Sequence, residues 1–273
     1  MQVTQNDHGA SVAPGRQPPS QRPALLAVVA HDLRQPASAA LMAADFAEEL
    51  LEVGTSLDTV RQQLAIIRRC MRDALRLTED LLTVGQVEAG TLRLRRAPVD
   101  CAAVLLDAVV IIAGAARAKR IDVHIDGVTS DRAASSGGTP CAHADRQRLR
   151  QVLSNLCDNA IKATPAGGCI RLSASVDPRG AHFTVTDSGP GLPEATLARI
   201  FDQYWQAEQD RSVSGVGLGL SIARWLVELH GGTIRATNAP SGGLMVRFTV
   251  PPAEVPLVEG AATMCAELAT GTT

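Results

Sequence analysis

Aromatic residues are scarce in this chain, which contains four Phe, two Trp and one Tyr among 273 residues. A surface that stacks nucleic-acid bases on aromatic rings is therefore not expected. An excess of charge is also missing, because 26 Lys and Arg stand against 28 Asp and Glu, and no basic block occurs. Neither nucleic acid nor an anionic membrane is predicted as the main partner.

Paired cysteines and long apolar runs are missing as well. The six cysteines are scattered, with no CxxC pair and no histidine at metal-ligand spacing, so we expect reduced thiols in a cytoplasmic protein. The longest apolar run, 101–116, contains Asp107 and is shorter than the ~20 residues that a membrane span needs. It predicts an amphipathic helix rather than a membrane span. The first 23 residues lack the apolar stretch of a signal peptide.

Two different patterns divide the rest of the sequence. Residues 24–90 repeat apolar positions at spacings of three and four, which predicts helices. Residues 99–252 alternate helical patterns with period-two segments, typical of a two-layer α/β sandwich. Residues 1–23 and 253–273 are predicted to be a disordered leader and tail. The predicted fold class is α+β, with a helical domain followed by the sandwich.

The helical region predicts a hairpin that pairs with a second copy. Gly54 and Ser56 supply a turn and a helix N-cap between two helices. One hairpin cannot cover both faces of its own apolar seam, so we expect a homodimer in which two hairpins form a four-helix bundle. The seam of the second helix consists of Leu57, Val60, Leu64, Ile67, Met71, Ala74, Thr78 and Leu81.

His31 is a candidate nucleophile on the first helix. With Leu26 at heptad position a and Val29 at d, His31 falls at the outward position f. An exposed histidine alone is most often ordinary surface. Here Asp32 can accept a hydrogen bond from one ring nitrogen and leave the other nucleophilic. Pro36 removes a backbone donor within the helix and is expected to bend it.

A polar stripe on a later helix suggests a phosphate and metal site. Spacings of four and three place Asn155, Asn159 and Lys162 on one side, beside an apolar stripe that should face a sheet. An amide oxygen suits Mg²⁺, and an ammonium group suits a terminal phosphate. The alternative is a merely solvated helix face.

Two glycine-containing turns follow. The segment 187–191, Asp-Ser-Gly-Pro-Gly, ends a predicted strand, where Asp187 can accept a hydrogen bond from an amine such as adenine N6. The segment 215–220 opens a helix and exposes backbone N–H groups suited to phosphate. A dinucleotide-binding fold is not supported, because a polar segment precedes Gly215 and position 239 is Ala. Each motif alone has a commonplace explanation, but their order along one chain does not.

This set of motifs resembles the histidine kinase family, whose ATP-binding domain is shared with type II topoisomerases, mismatch-repair ATPases and a heat-shock chaperone. The resemblance covers about residues 25–251. The matching segments are 31–36 for the H box, 151–164 for the N box, 187–191 for the G1 box, 200–202 for the F box and 215–220 for the G2 box.

The resemblance implies a role for each matching residue. His31 would accept the phosphoryl group and Asp32 would help to deprotonate it. Asn159 would bind Mg²⁺, and Phe201 would pack against a mobile lid at 203–214. The ATP-binding residues would be Asn155, Asn159, Lys162, Asp187, Gly189, Gly191, Phe201, Gly215, Gly217, Gly219 and Leu220.

The implied activity is autophosphorylation of His31 from Mg-ATP, followed by transfer to an aspartate in the receiver domain of a response regulator. Relatives that hydrolyse ATP have glutamate where this chain has Asn155, and an amide cannot act as a general base toward water. Asp32 and Gln35 stand where the family commonly has Glu and Thr. Gln35 occupies the position associated with phosphatase activity. Some 24 residues before the first helix are too few for an input domain, so either a separate sensor protein supplies the signal, or the chain is a truncated piece or an unusual member of the family.

Two other functions fit parts of the sequence. A phosphotransfer or scaffold protein would keep the helical bundle without ATP binding, but Asp187 and the glycines of 215–219 argue against it. An ATP-driven conformational switch would need neither His31 nor its hairpin. Nucleotide-binding calorimetry tests the first alternative, and acid-labile self-phosphorylation tests the second.

Overall fold

The secondary structure changes from helices to an α/β arrangement along the chain. The structure is a computed structural model and describes residues 22–54, 56–130, 141–205 and 217–251. This order of elements confirms the predicted α+β fold class. The elements are α1 (Arg22–Glu52), α2 (Leu57–Glu88), β1 (Ala97–Asp100), α3 (Cys101–Lys119), β2 (Asp122–Ser130), β3 (Cys141–Ala144), α4 (Arg146–Ala163), β4 (Cys169–Asp177), β5 (Gly180–Asp187), α5 (Glu194–Leu197), α6 (Gly219–Leu229), β6 (Ile234–Asn238) and β7 (Leu244–Val250).

The described residues group into two compact units. One contains 22–93 and 199–225, and the other contains 94–198 and 226–251. Helix α1 includes residues 22 and 23, which corrects their assignment to the leader. Pro23 is tolerated there because the first turn of a helix has N–H groups without intrahelical partners. Residues 1–21 of the predicted leader and the tail 253–273 lie outside the described residues, and the predicted domain boundaries at 90 and 99 stay predictions.

Helices α1 and α2 form the predicted hairpin. The hydroxyl of Ser56 caps α2 by accepting a hydrogen bond from the Asp58 N–H at 3.2 Å. Gly54 supplies the positive φ of +70° that the turn requires. The small residues Ala40, Ala43 and Ala47 form the buried face of α1, which lets the two helices approach closely.

The two rows of the apolar seam of α2, heptad positions a and d, differ in solvent exposure. Val60, at heptad position d, is only 8% exposed. Leu57, Leu64 and Met71, at position a, are 67%, 48% and 41% exposed. The other d residues are half-buried, namely Ile67, Ala74 and Leu81. The hairpin therefore covers the d row more than the a row, whose large apolar side chains stay open to solvent.

Five strands of the second unit form one sheet in the order β2-β4-β5-β7-β6. Strands β2 and β4 are parallel, and the other neighbours are antiparallel. Helices α3 and α4 contact each other and this sheet. Alternate residues of β4 and β5 are buried, and the Phe183 and Phe248 rings stack at 4.9 Å. A shorter antiparallel pair, β1 and β3, leads into α3 and α4.

Helix α3 has one buried and one exposed apolar face. Val104 and Leu105 are fully buried, whereas Leu106 and Val110 are 57% and 75% exposed. Among the described residues, it is the one helix long and apolar enough to pass a test for membrane spans by length and composition alone. Core helices pass the same test, and the contacts of α3 with α4 and β2 are those of a core helix.

Candidate functional site

His31 lies on α1 with its side chain 66% exposed. Its Nδ1 atom is 3.1 Å from Oδ1 of Asp32. This contact fixes the proton on Nδ1 when the ring is neutral, so the lone pair of Nε2 is left for reaction. Helix α1 runs through Pro36 without a break, although Pro36 has no N–H to donate to the Asp32 carbonyl. The exposure and the hydrogen bond of His31 agree with the sequence prediction, while its chemical role stays a prediction.

The three residues of the predicted polar stripe on helix α4 differ in how far they are buried. Asp145 caps the helix by accepting hydrogen bonds from the N–H groups of Gln147 and Arg148. Asn155 is 5% exposed, Asn159 is half-buried and Lys162 is exposed. A buried amide costs free energy unless it is hydrogen-bonded, and Asn155 does have a partner. Asn155 is therefore not part of a solvated helix face, and the roles of the three residues toward Mg²⁺ and phosphate stay predictions.

Asp187 ends β5 and is 5% exposed. Its Oδ1 atom accepts hydrogen bonds from the N–H of Gly189 at 2.8 Å and of Leu244 at 3.2 Å. Oδ2 accepts none within the described part of the chain. Burial raises the pKa of the Asp187 carboxyl above its usual range, and the two N–H groups partly oppose that rise. The carboxylate is thus fixed in orientation with one oxygen left for a donor on a ligand.

The turn after Asp187 lies against the carboxyl end of α4. A Cβ atom on Gly189 would stand 2.7 Å from the carbonyl oxygen of Ala163, so only glycine allows this approach. The hydroxyl of Ser188 accepts a hydrogen bond from the Cys169 N–H at 2.9 Å. Asp187, Gly189 and the end of α4 that carries Lys162 are therefore brought together within the second unit.

Three residues that the sequence reasoning missed support this region. Lys119 Nζ donates to the carbonyl oxygens of Ile161 at 2.8 Å and of Lys162 at 3.2 Å, which suits a cation at a helix C-terminus. A Cβ on Gly243 would overlap the Asp187 carbonyl. Asn238 forms two hydrogen bonds with the backbone of Leu192, the residue after Gly191. The Gly242-Gly243 pair was a readable turn signal, but nothing in the sequence marked Lys119.

The other predicted ATP-binding residues that the structure describes belong to the first unit. Phe201 is buried. Gly217 has φ of +72°, and a Cβ there would stand 2.8 Å from the Trp205 carbonyl oxygen. Gly219 and Leu220 begin helix α6, as predicted. Gly215 and the segment 206–214 of the predicted lid lie outside the described residues.

The donor set of the second unit fits a magnesium nucleotide. The open Asp187 oxygen suits an exocyclic amine, and Lys162 suits a phosphate. No group of three or more His, Cys, Asp or Glu in the described ranges makes a metal site by itself. Mg²⁺ bound with a nucleotide does not need one, because phosphate oxygens and waters fill most of its ligand positions.

Two family models match this chain in sequence. Residues 21–90 match the His Kinase A (phospho-acceptor) domain. Residues 144–254 match the domain of histidine kinase-, DNA gyrase B- and HSP90-like ATPases. Together the two matches cover more than half of the chain.

Known proteins give the same result. The adaptive-response sensory kinase SasA of Synechococcus sp. (strain JA-2-3B'a(2-13)) is 33% identical over 232 residues, covering 83% of this chain and 58% of that protein. The crystal structure of full-length ShkA in complex with AMPPNP is similar with a TM-score of 0.57 and 28% identity, over 80% of this chain and 46% of that one. The complex of histidine kinase ThkA with the response regulator protein TrrA gives 0.54 and 24%, over 85% of this chain and 62% of that one, which shows a shared fold.

This chain spans about half the length of SasA and of ShkA. The phospho-acceptor domain precedes the ATPase domain along the chain. The first contains an exposed histidine, and the second contains a fixed carboxylate at a glycine turn. The chain belongs to the histidine kinase family.

Proposed function

We propose that this protein transfers the terminal phosphoryl group of Mg-ATP to His31 and then to an aspartate of a response regulator. The observation that carries the proposal is that one chain contains both a candidate phosphoryl acceptor and a candidate adenine-binding carboxylate. An exposed His31 has its proton fixed by Asp32, and Asp187 keeps one carboxylate oxygen open beside the glycine turn.

The first step is an attack by Nε2 of His31 on the terminal phosphorus. The N–P bond forms as the bond between that phosphorus and the bridging oxygen of ADP breaks, and ADP leaves with the electron pair. Nε2 has no proton to lose, because the Nδ1 proton points to Asp32. The ring becomes positively charged in the product, and the carboxylate of Asp32 stabilises that charge or accepts the Nδ1 proton.

Asp187 binds the adenine in this proposal. Oδ2 accepts a hydrogen bond from the exocyclic amine, while Oδ1 stays with the N–H groups of Gly189 and Leu244. Protonation at low pH would turn this acceptor into a donor. Since burial already raises the pKa of Asp187, ATP affinity is expected to fall as the pH drops into the acidic range.

The phosphates are assigned to Asn155, Asn159, Lys162 and the glycines 215, 217 and 219, with Leu220 beside them. Asn159 would supply an amide oxygen to Mg²⁺, which when bound would neutralise charge on the phosphates. Phe201, which is buried, is assigned the lid-contacting role that the family resemblance implies. Because Asn155 is an amide and cannot activate water, transfer to His31 is favoured over hydrolysis.

The acceptor after His31 is a response regulator receiver domain. ThkA, which shares this fold, was crystallised with a response regulator protein. Gln35 is exposed on α1, four residues and about one helical turn after His31, and dephosphorylation of the response regulator is the role proposed for it. We also propose that the protein acts as a homodimer in the cytoplasm, where ATP is available.

Asp187→Asn tests the nucleotide site. The amide oxygen can keep the two N–H bonds of Oδ1, but its NH₂ then faces the adenine amine, donor against donor. This costs roughly 1.5–3 kcal/mol, so calorimetry should show ATP affinity at least about tenfold weaker with unchanged circular dichroism. Asp126→Asn, on the exposed side of the sheet and paired with Arg171, is the matched control. Equal ATP affinity in the wild type and Asp187→Asn would refute the adenine role.

A further inference from the structure

We propose that Asn238 is a positioning residue for nucleotide binding, because its side-chain amide fixes the backbone of the turn that follows Asp187. The inference rests on the proposed function, since it concerns the same ATP site. It adds a residue at the end of β6 that touches the turn and not the reacting atoms.

Asn238 holds Leu192 by two hydrogen bonds. The Leu192 N–H donates to Oδ1 at 2.9 Å, and Nδ2 donates to the Leu192 carbonyl oxygen at 2.8 Å. One amide thus satisfies both backbone groups of the same residue, as a neighbouring strand would. Both bonds must break before Leu192 can move away from β6.

Asn238 also explains why position 191 must be glycine. Gly191 has φ of +72°, and a Cβ atom there would lie 2.7 Å from Oδ1 of Asn238. The turn therefore lies directly on the Asn238 amide. Gly191, which the family resemblance names as an ATP-binding residue, is therefore also required for a contact within the protein.

The cross-strand partner of Asn238 holds the other end of the same turn. Asn238 pairs with Leu244 across β6 and β7, and the Leu244 N–H donates to Oδ1 of Asp187 at 3.2 Å. This residue pair of the β6–β7 hairpin therefore fixes both the carboxylate of Asp187 and the backbone of Leu192, five residues later. The β6–β7 hairpin thus holds both ends of the adenine-binding turn.

Removing the Asn238 amide should change nucleotide affinity more than stability. Asn238 is exposed, so water can replace its hydrogen bonds to Leu192 at modest cost to folding. Water cannot reproduce the fixed position of the turn relative to Asp187. The KM for ATP should therefore rise, while kcat at saturating ATP should stay close to the wild-type value.

The experiment uses the full chain in four forms: wild type, Asn238→Ala, Asn238→Asp and Asp177→Ala. Asn238→Asp keeps an acceptor for the Leu192 N–H but sets a carboxylate oxygen against the Leu192 carbonyl. Asp177 is the matched control, because it holds the N–H groups of Arg179 and Gly180 in a turn at the opposite end of β5. Calorimetry gives Mg-ATP affinity, autophosphorylation gives KM and kcat, and thermal denaturation gives stability.

Both Asn238 variants should bind Mg-ATP roughly tenfold more weakly, the loss that one hydrogen bond produces. Their kcat should be retained, and Asp177→Ala should lose stability alone. Wild-type affinity in both Asn238 variants would overturn the inference and leave the proposed function standing. So would a loss of affinity in Asp177→Ala equal to theirs, since general destabilisation would then explain both. A wild type that binds no ATP would overturn the proposed function itself.

Discussion

His230 is a buried histidine whose two ring nitrogens are both used. Nδ1 lies 2.6 Å from the Leu226 carbonyl oxygen, and Nε2 accepts a hydrogen bond from the Asp145 N–H at 3.0 Å. The ring is therefore neutral, with its proton on Nδ1. It joins the end of α6 to the N-cap of α4, the helix that carries Asn155. Burial lowers the pKa of His230, and the nearby Arg96 acts in the same direction.

The neutral state of His230 predicts an acid-sensitive fold. The unfolded chain takes up the proton near pH 6.5, whereas the folded chain takes it up only at lower pH. The His230 contribution to stability is therefore complete above about pH 6.5 and is lost as pH falls through its folded pKa. Urea unfolding between pH 8 and 5 should show this decline in the wild type.

His230→Gln removes the titration and keeps a donor and an acceptor. It should lower stability at pH 8 but flatten the decline below pH 6.5. His124→Gln, at an exposed histidine of β2, should keep the wild-type decline. The raised pKa of Asp187 acts in the opposite direction, and it is common to all three proteins. An unchanged acid decline in His230→Gln would show that another group causes it.

Single residues differed in how far the sequence revealed them. Asp187 and Gly189 were found because an acid before a glycine turn ends a strand pattern. Asn238 was missed because its partner Leu192 is 46 residues away in sequence, and local sequence patterns do not reveal contacts between distant residues. Lys119 was missed for the same reason, because its acceptors lie 42 or more residues further on.

Which apolar residues of helix α2 are buried depends on the elements packed against it. Heptad spacing predicted one continuous seam, and the hairpin divides it into a covered row and an open row. The open row includes Leu57, Leu64 and Met71, and Leu75 and Leu82 beside it are 65% and 62% exposed. Contiguous apolar side chains of this size favour burial against a partner. A second copy of the hairpin would provide it.

Leu64→Lys tests that dimer. A lysine in the open row would bring charge into the bundle core, at a cost of several kcal/mol per unpaired ion. Sedimentation at micromolar concentration should show a dimeric wild type and a monomeric variant. Gln62→Lys, at the outward position f of the preceding heptad and exposed, should remain dimeric. A monomeric wild type, or a dimeric Leu64→Lys protein, would contradict the predicted bundle.

Elements were predictable where their signals are local. The cap at Ser56, the helix that carries Asn155 and Asn159, and the strand that ends at Asp187 were all visible in the sequence. The strand order β2-β4-β5-β7-β6 and the parallel pairing of β2 with β4 were not. Long-range pairing depends on contacts between distant segments, which periodicity does not encode.

The whole molecule combines a region that matches the phospho-acceptor domain of histidine kinases with a region that matches their ATPase domain. Family membership followed from the order of four motifs, each of them weak alone. The activity depends on a claim that spans both domains, namely that the phosphoryl group of ATP reaches His31. Neither a nucleotide-binding domain without the acceptor nor a hairpin without the ATP site would make this product.

The most direct test is incubation of the full chain with γ-labelled Mg-ATP. The wild type should acquire label that survives base and is lost in acid, because a phosphoramidate on a ring nitrogen hydrolyses in acid. His31→Gln should acquire none, yet bind ATP with nearly wild-type affinity. His124→Gln should be labelled like the wild type. Label that persists in His31→Gln, or that withstands acid in the wild type, would mean that another residue is the acceptor and that the account is wrong.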